Sequence, residues 1–136
     1  RISNVDLAAH VGLSPSACLR RVTQLEANNV IDGYHANINA PKMGYDVLVL
    51  MHITLRGQSA EMMVEFEEAV TRIPQVLACF LTAGGYDYIL RIAARDVNDF
   101  GRIHSLHLSA LPNVLRMESS FVLREVINRG MPAEEA

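Results

Sequence analysis

Two short echoes constrain this chain more than anything else in it: "PQVL" beginning at Pro74 and "PNVL" beginning at Pro112, 38 positions apart. Each follows an amphipathic stretch and opens an apolar run, so 38 residues is the length of one strand-helix-strand half. Ahead of the first echo, "VLVLMHITL" from Val47 reads as a strand. "SAEMMVEFEEAVTRI" then reads as a helix with Met62, Phe66, Ala69, Val70 and Ile73 on one face and Glu61, Glu67 and Glu68 outside it. "VLACFLTA" and "YDYILRIAA" read as strands joined at Gly84-Gly85, a pair suited to a tight hairpin turn with positive φ angles. "DVNDFGRIHSLHLSAL" forms a second helix, with Val97, Phe100, Ile103 and Leu111 on its apolar side, and "VLRMESSFVLREV" a last strand.

The order β-α-β-β-α-β predicts an α+β chain with a ferredoxin-like domain and one antiparallel four-stranded sheet. Right-handed crossovers put both helices on one face of that sheet. Yet the first strand is apolar at both parities: Val47, Val49, Met51, Ile53 and Leu55 on one, Leu48 and Leu50 on the other. The face away from the helices therefore needs a cover, and a second copy of the same domain, giving a homodimer, is the simplest.

The amino-terminal stretch has a different texture. Ser3 with Asp6 three positions on is a weaker relative of the capping box, and Leu7, Ala8 and Val11 follow at helical spacing. Gly12 and Leu13 turn the chain. Ser14 and Pro15 suit the cap and first position of a second helix running to about Asn28. Cys18, Val22 and Leu25 fall on its inner side; Ser16, Arg20, Thr23 and Gln24 fall opposite, with Arg21 on the flank. That layout is a helix-turn-helix. Short helical hairpins also occur as plain structural units, so this stretch alone leaves DNA recognition and surface packing equally open. "VIDGYHANI" reads as strand, turn and strand, suiting a wing or connecting ribbon, and Asn39 to Lys42 as a linker. The expected domains are 1–38 and 39–136.

The 136 residues carry a net charge of −3, and half are hydrophobic, ample for a core. Residues 1–35 balance three basic against three acidic groups, so the whole excess lies in the second part. An acidic body held away from the duplex is compatible with DNA binding of modest affinity and strong salt dependence. Cys18 and Cys79 read as reduced core thiols of a cytoplasmic protein. No apolar run approaches a membrane span, and no secretory signal precedes the first element. His104 and His107 lie one turn apart, but structural zinc normally takes four ligands with cysteine among them, so packed or subunit-contact histidines and no metal are expected. No catalytic motif stands out, and neither an enzyme nor a cofactor is expected.

The stretches "RISNVDLAAHVGLSPSACLRRVTQLEANNVIDGY", "TAGGYDYIL" and "SSFVLREV" resemble the leucine-responsive regulatory protein/AsnC family of transcription regulators, essentially from end to end. The resemblance implies a cytoplasmic regulator that binds double-stranded promoter DNA. It also implies a carboxy-terminal domain that dimerises, assembles further (an octamer of four dimers is expected) and binds an amino acid or related effector. Members carry a further helix before "RISN", so an incomplete DNA-binding domain is expected, with the inner faces of residues 5–25 partly bare. Arg20 then donates to a guanine edge and Gln24 pairs with an adenine, while Ser14, Ser16 and Arg21 lie against phosphates and Pro15 is counted with them at the DNA surface. The family's hairpin loop reads Gly, acid, any residue, Asp; here it reads Gly84, Gly85, Tyr86, Asp87, with the acid lost. On this reading Thr82, Gly84, Gly85 and Tyr86 shape the effector site, and backbone N–H groups hold the ligand's carboxylate. Asp87 balances its ammonium, Ser119 and Ser120 add hydroxyls at a subunit junction, and Leu81, Tyr86 and Met51 line the side-chain region. The alternative from another class is a sensing or oxygenase-type ferredoxin-like dimer without a DNA role.

Overall fold

A computed structural model of the chain describes residues 2–128. They fall into two compact units, one up to Ile38 and one from Asn39 onward.

The first unit is two helices, α1 (Asn4–His10) and α2 (Pro15–Ala27), and local chemistry fixes both ends of each. The Ser3 hydroxyl oxygen accepts the Asp6 N–H at 3.1 Å, and the hydroxyl donates to the Asp6 carboxylate at 2.6 Å. Past the end of α1, Gly12 sits at φ 66°. Its N–H bonds the Ala9 carbonyl, and the Leu13 N–H the Ala8 carbonyl, the paired bonds of a Schellman stop. Ser14 caps α2 through the Ala17 N–H, and Asn29 (φ 54°) closes α2 with the same pair of bonds, from Asn29 to Glu26 and from Val30 to Leu25. Ala8 and Cys18 are buried between the helices, whereas Val5, Val11, Leu19 and Leu25 remain exposed.

Residues 32–39 form no strand, contrary to the expected ribbon. A two-residue turn at Asp32-Gly33 requires positive φ, which Gly33 does not adopt, and an isolated two-stranded hairpin is marginal in water.

The second unit has the expected order: β1 (Val47–Leu55), α3 (Ala60–Thr71), β2 (Val76–Leu81), β3 (Tyr88–Ala94), α4 (Val97–Leu106), β4 (Val114–Phe121). The sheet runs β2-β3-β1-β4, with every neighbouring pair antiparallel. Val49, Met51, Ile53 and Leu55 of β1 share one core with Phe66 and Val70 of α3 and Phe100 and Ile103 of α4, so both helices cover the same face. On the other face the register sets Phe80, Ile89, His52 and Glu118 in one row and Ala78, Arg91, Leu50 and Ser120 in the next.

Three further expectations are corrected. The second helix stops at Leu106 and a 3-10 turn (Leu108–Ala110) follows; Leu108 fills the core, while Val97 faces outward. The last strand ends at Phe121, opposite Val49, because β1 then has almost no backbone left to offer; one more bond, Val122 N–H to Leu48 O, closes it. Cys79 is exposed rather than in the core, because β2 is an edge strand. Cys18 is buried, and both thiols are free.

Candidate DNA-reading helix and effector cleft

On α2, Cys18 is buried while Ser14, Pro15, Ser16, Arg20, Arg21 and Gln24 are all exposed. At about 100° per residue Arg20 stands roughly opposite Cys18, and Ser16, Arg20 and Gln24, each four apart, form one outward stripe. The Ser14 hydroxyl is taken up as the helix cap. Arg20 and Arg21 have no ion-pair partner among the described residues, where Arg102–Asp99 is the one pair formed. A planar guanidinium and a carboxamide one turn apart can each make two bonds to a base edge.

The 82–87 loop is the second candidate. Gly84 and Gly85 do not take the positive φ angles expected of a tight turn. The connection is instead six residues long, closed by Thr82 N–H to Asp87 O at 2.8 Å and by the Thr82 hydroxyl to Tyr86 O at 2.7 Å. A loop of that length reverses the chain without left-handed residues. The N–H groups of Ala83, Gly84, Gly85 and Tyr86 have no partner among the described residues. A Cβ at Gly84 or Gly85 would meet nothing within 4 Å, so this backbone lies open to a ligand.

Beside it is a cleft of about 620 Å³, partly open to solvent. Leu55, Met63, Leu81 and Tyr88 give it apolar walls; Gln58, Thr82, Gly84 and Asp87 supply its polar groups. Asp87 is held firmly. Its Oδ2 accepts the Leu55 N–H at 2.7 Å, its Oδ1 accepts the Gln58 carboxamide at 2.7 Å, and its own N–H donates to Ile53 O. Behind the wall, the Tyr88 hydroxyl donates to Glu67 at 2.6 Å, and the ring lies 4.7 Å from that of Phe66. Burial, then the bond to Glu67, pushes the Tyr88 hydroxyl above its ordinary range. Partial desolvation of the sulfur, although Cys79 as a whole is exposed, and then the charge of Glu67 raise the Cys79 thiol as well.

Four expected site residues lie elsewhere. Met51 is wholly inside the core. Tyr86 folds onto the other face of the sheet, stacked 4.5 Å from His52, its hydroxyl 3.2 Å from Glu118 and Arg116 over its ring. Ser119 and Ser120 are paired with Met51 and Leu50 on β4, at the edge of the sheet away from β2, and do not line the cleft. Leu55, Gln58, Met63 and Tyr88 also line the cleft, without a signal for it in the sequence. The first three belong to segments remote in sequence from the loop, and only the pairing of β1 with β3 brings them to it.

His104 lies against Phe100 and His107 is exposed. No cluster of three metal-ligating side chains occurs among the described residues, and no helix there is long and apolar enough to cross a membrane.

The family model of the Lrp/AsnC ligand-binding domain matches residues 48–132, and that of a winged helix-turn-helix DNA-binding domain matches residues 1–32. An uncharacterized HTH-type transcriptional regulator of Sinorhizobium fredii is 44% identical over 86% of this chain and 92% of its own length. The Bkd operon transcriptional regulator of Pseudomonas aeruginosa is 34% identical over 97% and 86%. A transcriptional regulator from Neisseria meningitidis, solved in complex with L-methionine, superposes with a TM-score of 0.89 at 32% identity, covering 94% of this chain and 82% of that one.

Proposed function

The chain belongs to the Lrp/AsnC family of helix-turn-helix transcription regulators, and we propose that it reads promoter DNA with α2 and responds to an amino acid held at the 82–87 loop. The observation that carries the DNA reading is the stripe Ser16, Arg20, Gln24 standing outward from buried Cys18. Arg20 and Gln24 face base edges, and Ser14, Pro15, Ser16 and Arg21 lie against the phosphate backbone. Arg20→Ala weakens binding to the specific site by about 1–3 kcal/mol and leaves random DNA nearly unaffected. Gel shifts with the protein's own upstream region and a scrambled duplex test this; equal losses on both would assign Arg20 to phosphate instead.

For the effector, support comes from the open N–H groups of Ala83 and Gly84, which line the cleft together with Asp87. Such N–H groups suit a carboxylate, and Asp87 suits the ammonium of the same molecule. The apolar walls favour a neutral, apolar side chain, in keeping with the L-methionine bound by the Neisseria regulator. With Gly85 in place of an acid, lysine and arginine bind less well. Ser119 and Ser120 reach such a ligand only from another copy of the chain. The cleft's polar side chains are engaged in holding the loop, which suits binding rather than catalysis.

We assign the sheet face away from the helices to a second copy, and the further assembly to an octamer of four dimers in the cytoplasm. Val64, exposed on α3, supplies an apolar contact between dimers. Sedimentation at micromolar concentration showing only dimers would remove the octamer.

A further inference from the structure

We infer that Gln58, in the turn between β1 and α3, is a ligand-contacting and specificity-determining residue of the cleft, reading the α-ammonium group of an amino acid together with Asp87. The inference rests on the amino-acid reading of the cleft and adds a residue that neither the loop motif nor its neighbours in sequence point to.

The argument begins with what each group is able to do. A carboxylate only accepts hydrogen bonds, so the end of the Gln58 side chain that touches Asp87 Oδ1 at 2.7 Å is its NH2 group. Its carbonyl oxygen, Oε1, is thereby turned away from Asp87. Oε1 has no partner among the described residues, and Gln58 lines the cleft.

The two Asp87 oxygens differ. Oδ2 is spent on the Leu55 backbone, a part-buried bond that ties the loop to the end of β1. Oδ1 meets only the exposed carboxamide, and a carboxylate oxygen has a second lone pair to give. An ammonium carries three donors. Set beside Oδ1, it meets a charged acceptor and, from Gln58, a neutral one whose orientation Asp87 has already fixed. The ordering cost of a long side chain is then largely met before the ligand arrives.

Thr82, whose hydroxyl donates to Tyr86 O, adds a further neutral oxygen acceptor to the same cleft, whereas Glu67 holds the Tyr88 hydroxyl and does not line it. Gln58 also sits directly before Ser59, the cap of α3, which accepts the Met62 N–H. A ligand bonded to both Gln58 and Asp87 therefore fastens the start of α3 to the 82–87 loop.

The test is calorimetry on the full chain with four probes: L-methionine, L-leucine and their deaminated analogues 4-(methylthio)butanoate and 4-methylpentanoate. The wild-type protein prefers each amino acid over its analogue. Gln58→Ala and Gln58→Met, both checked by thermal melting, reduce that preference about ten- to hundredfold, the usual weight of a hydrogen bond to a charged group. The loss falls on the amino acids, and affinity for the analogues is unchanged. An unchanged preference in both variants, or equal weakening of amino acid and analogue, overturns the inference while leaving the amino-acid reading intact. A wild-type protein that binds neither amino acid overturns both.

Discussion

At the scale of single residues, Asp87 shows what sequence can and cannot disclose. Its place in "GGYD" marks it as a site residue, but its bonds to Leu55 and Gln58 join positions 32 and 29 apart, and no local spacing encodes them. Removing it therefore does two things. Asp87→Ala leaves the Leu55 N–H without its acceptor, destabilising the domain by about 1–3 kcal/mol as well as abolishing amino-acid binding. Asp87→Asn keeps an acceptor for Leu55 while deleting the charge, so denaturant unfolding stays near wild type and binding is still lost. An asparagine variant that binds normally would show that Asp87 is not the counter-charge. Tyr88 is also legible as an apolar position, but its link to Glu67 is not. Burial and that bond raise its hydroxyl in the folded state above the unfolded value. The folded chain thus holds its proton longer, and the resulting stability is complete below about pH 10 and lost as pH rises further. Unfolding measured from pH 8 upward shows this decline in wild type and a smaller one in Tyr88→Phe, where the raised Cys79 thiol still contributes.

At the scale of elements, legibility follows how local the determining forces are. The starts of α1 and α2 are written in Ser3 and Ser14, and the stop of α1 in Gly12, because caps and Schellman turns are made within a few residues. The strand "VLVLMHITL" is equally plain from its apolar density. Illegible are the features that depend on a partner elsewhere: the end of β4, set by how far β1 extends, and the fate of residues 30–38, which find no strand to pair with. The 82–87 loop belongs to the same group. A Gly-Gly pair suggests a two-residue turn, but the bond from Thr82 to Asp87 widens it to six residues and so leaves the open N–H groups between. One prediction belongs at this scale. Gly12 at φ 66° has open space around it, so the penalty of a side chain there is purely one of backbone conformation. Gly12→Ala costs about 1–2 kcal/mol, and far-UV circular dichroism with temperature reports it as earlier melting of the amino-terminal helices.

For the molecule as a whole, what matters is the sheet face away from the helices. Phe80 and Ile89 lie side by side there, Phe80 being 57% exposed, and Leu48 and Leu50 continue the apolar strip. The same face buries three polar atoms without partners among the described residues: His52 Nδ1, Thr54 Oγ1 and Arg91 Nε. Buried polar atoms of that kind are costly unless something supplies a bond. In the dimer proposed above, a second copy supplies both needs at once, apolar surface for the strip and polar groups for the row beside it, with Arg91 and Glu118 available to pair across a two-fold axis. Burying a phenylalanine is worth about 1.5–3 kcal/mol, and under two-fold symmetry the gain counts twice. Phe80→Asp therefore converts the protein to monomers at concentrations where wild type is dimeric. Because Phe80 is exposed within the single chain, the substitution changes monomer stability by no more than about 0.5 kcal/mol. DNA binding follows the assembly: a dimer engages two half-sites, so the variant loses affinity for a two-half-site operator far more than for a single half-site. Sedimentation equilibrium and gel shifts on both duplexes measure the two effects together. A Phe80→Asp protein that stays dimeric places the subunit contact on another surface.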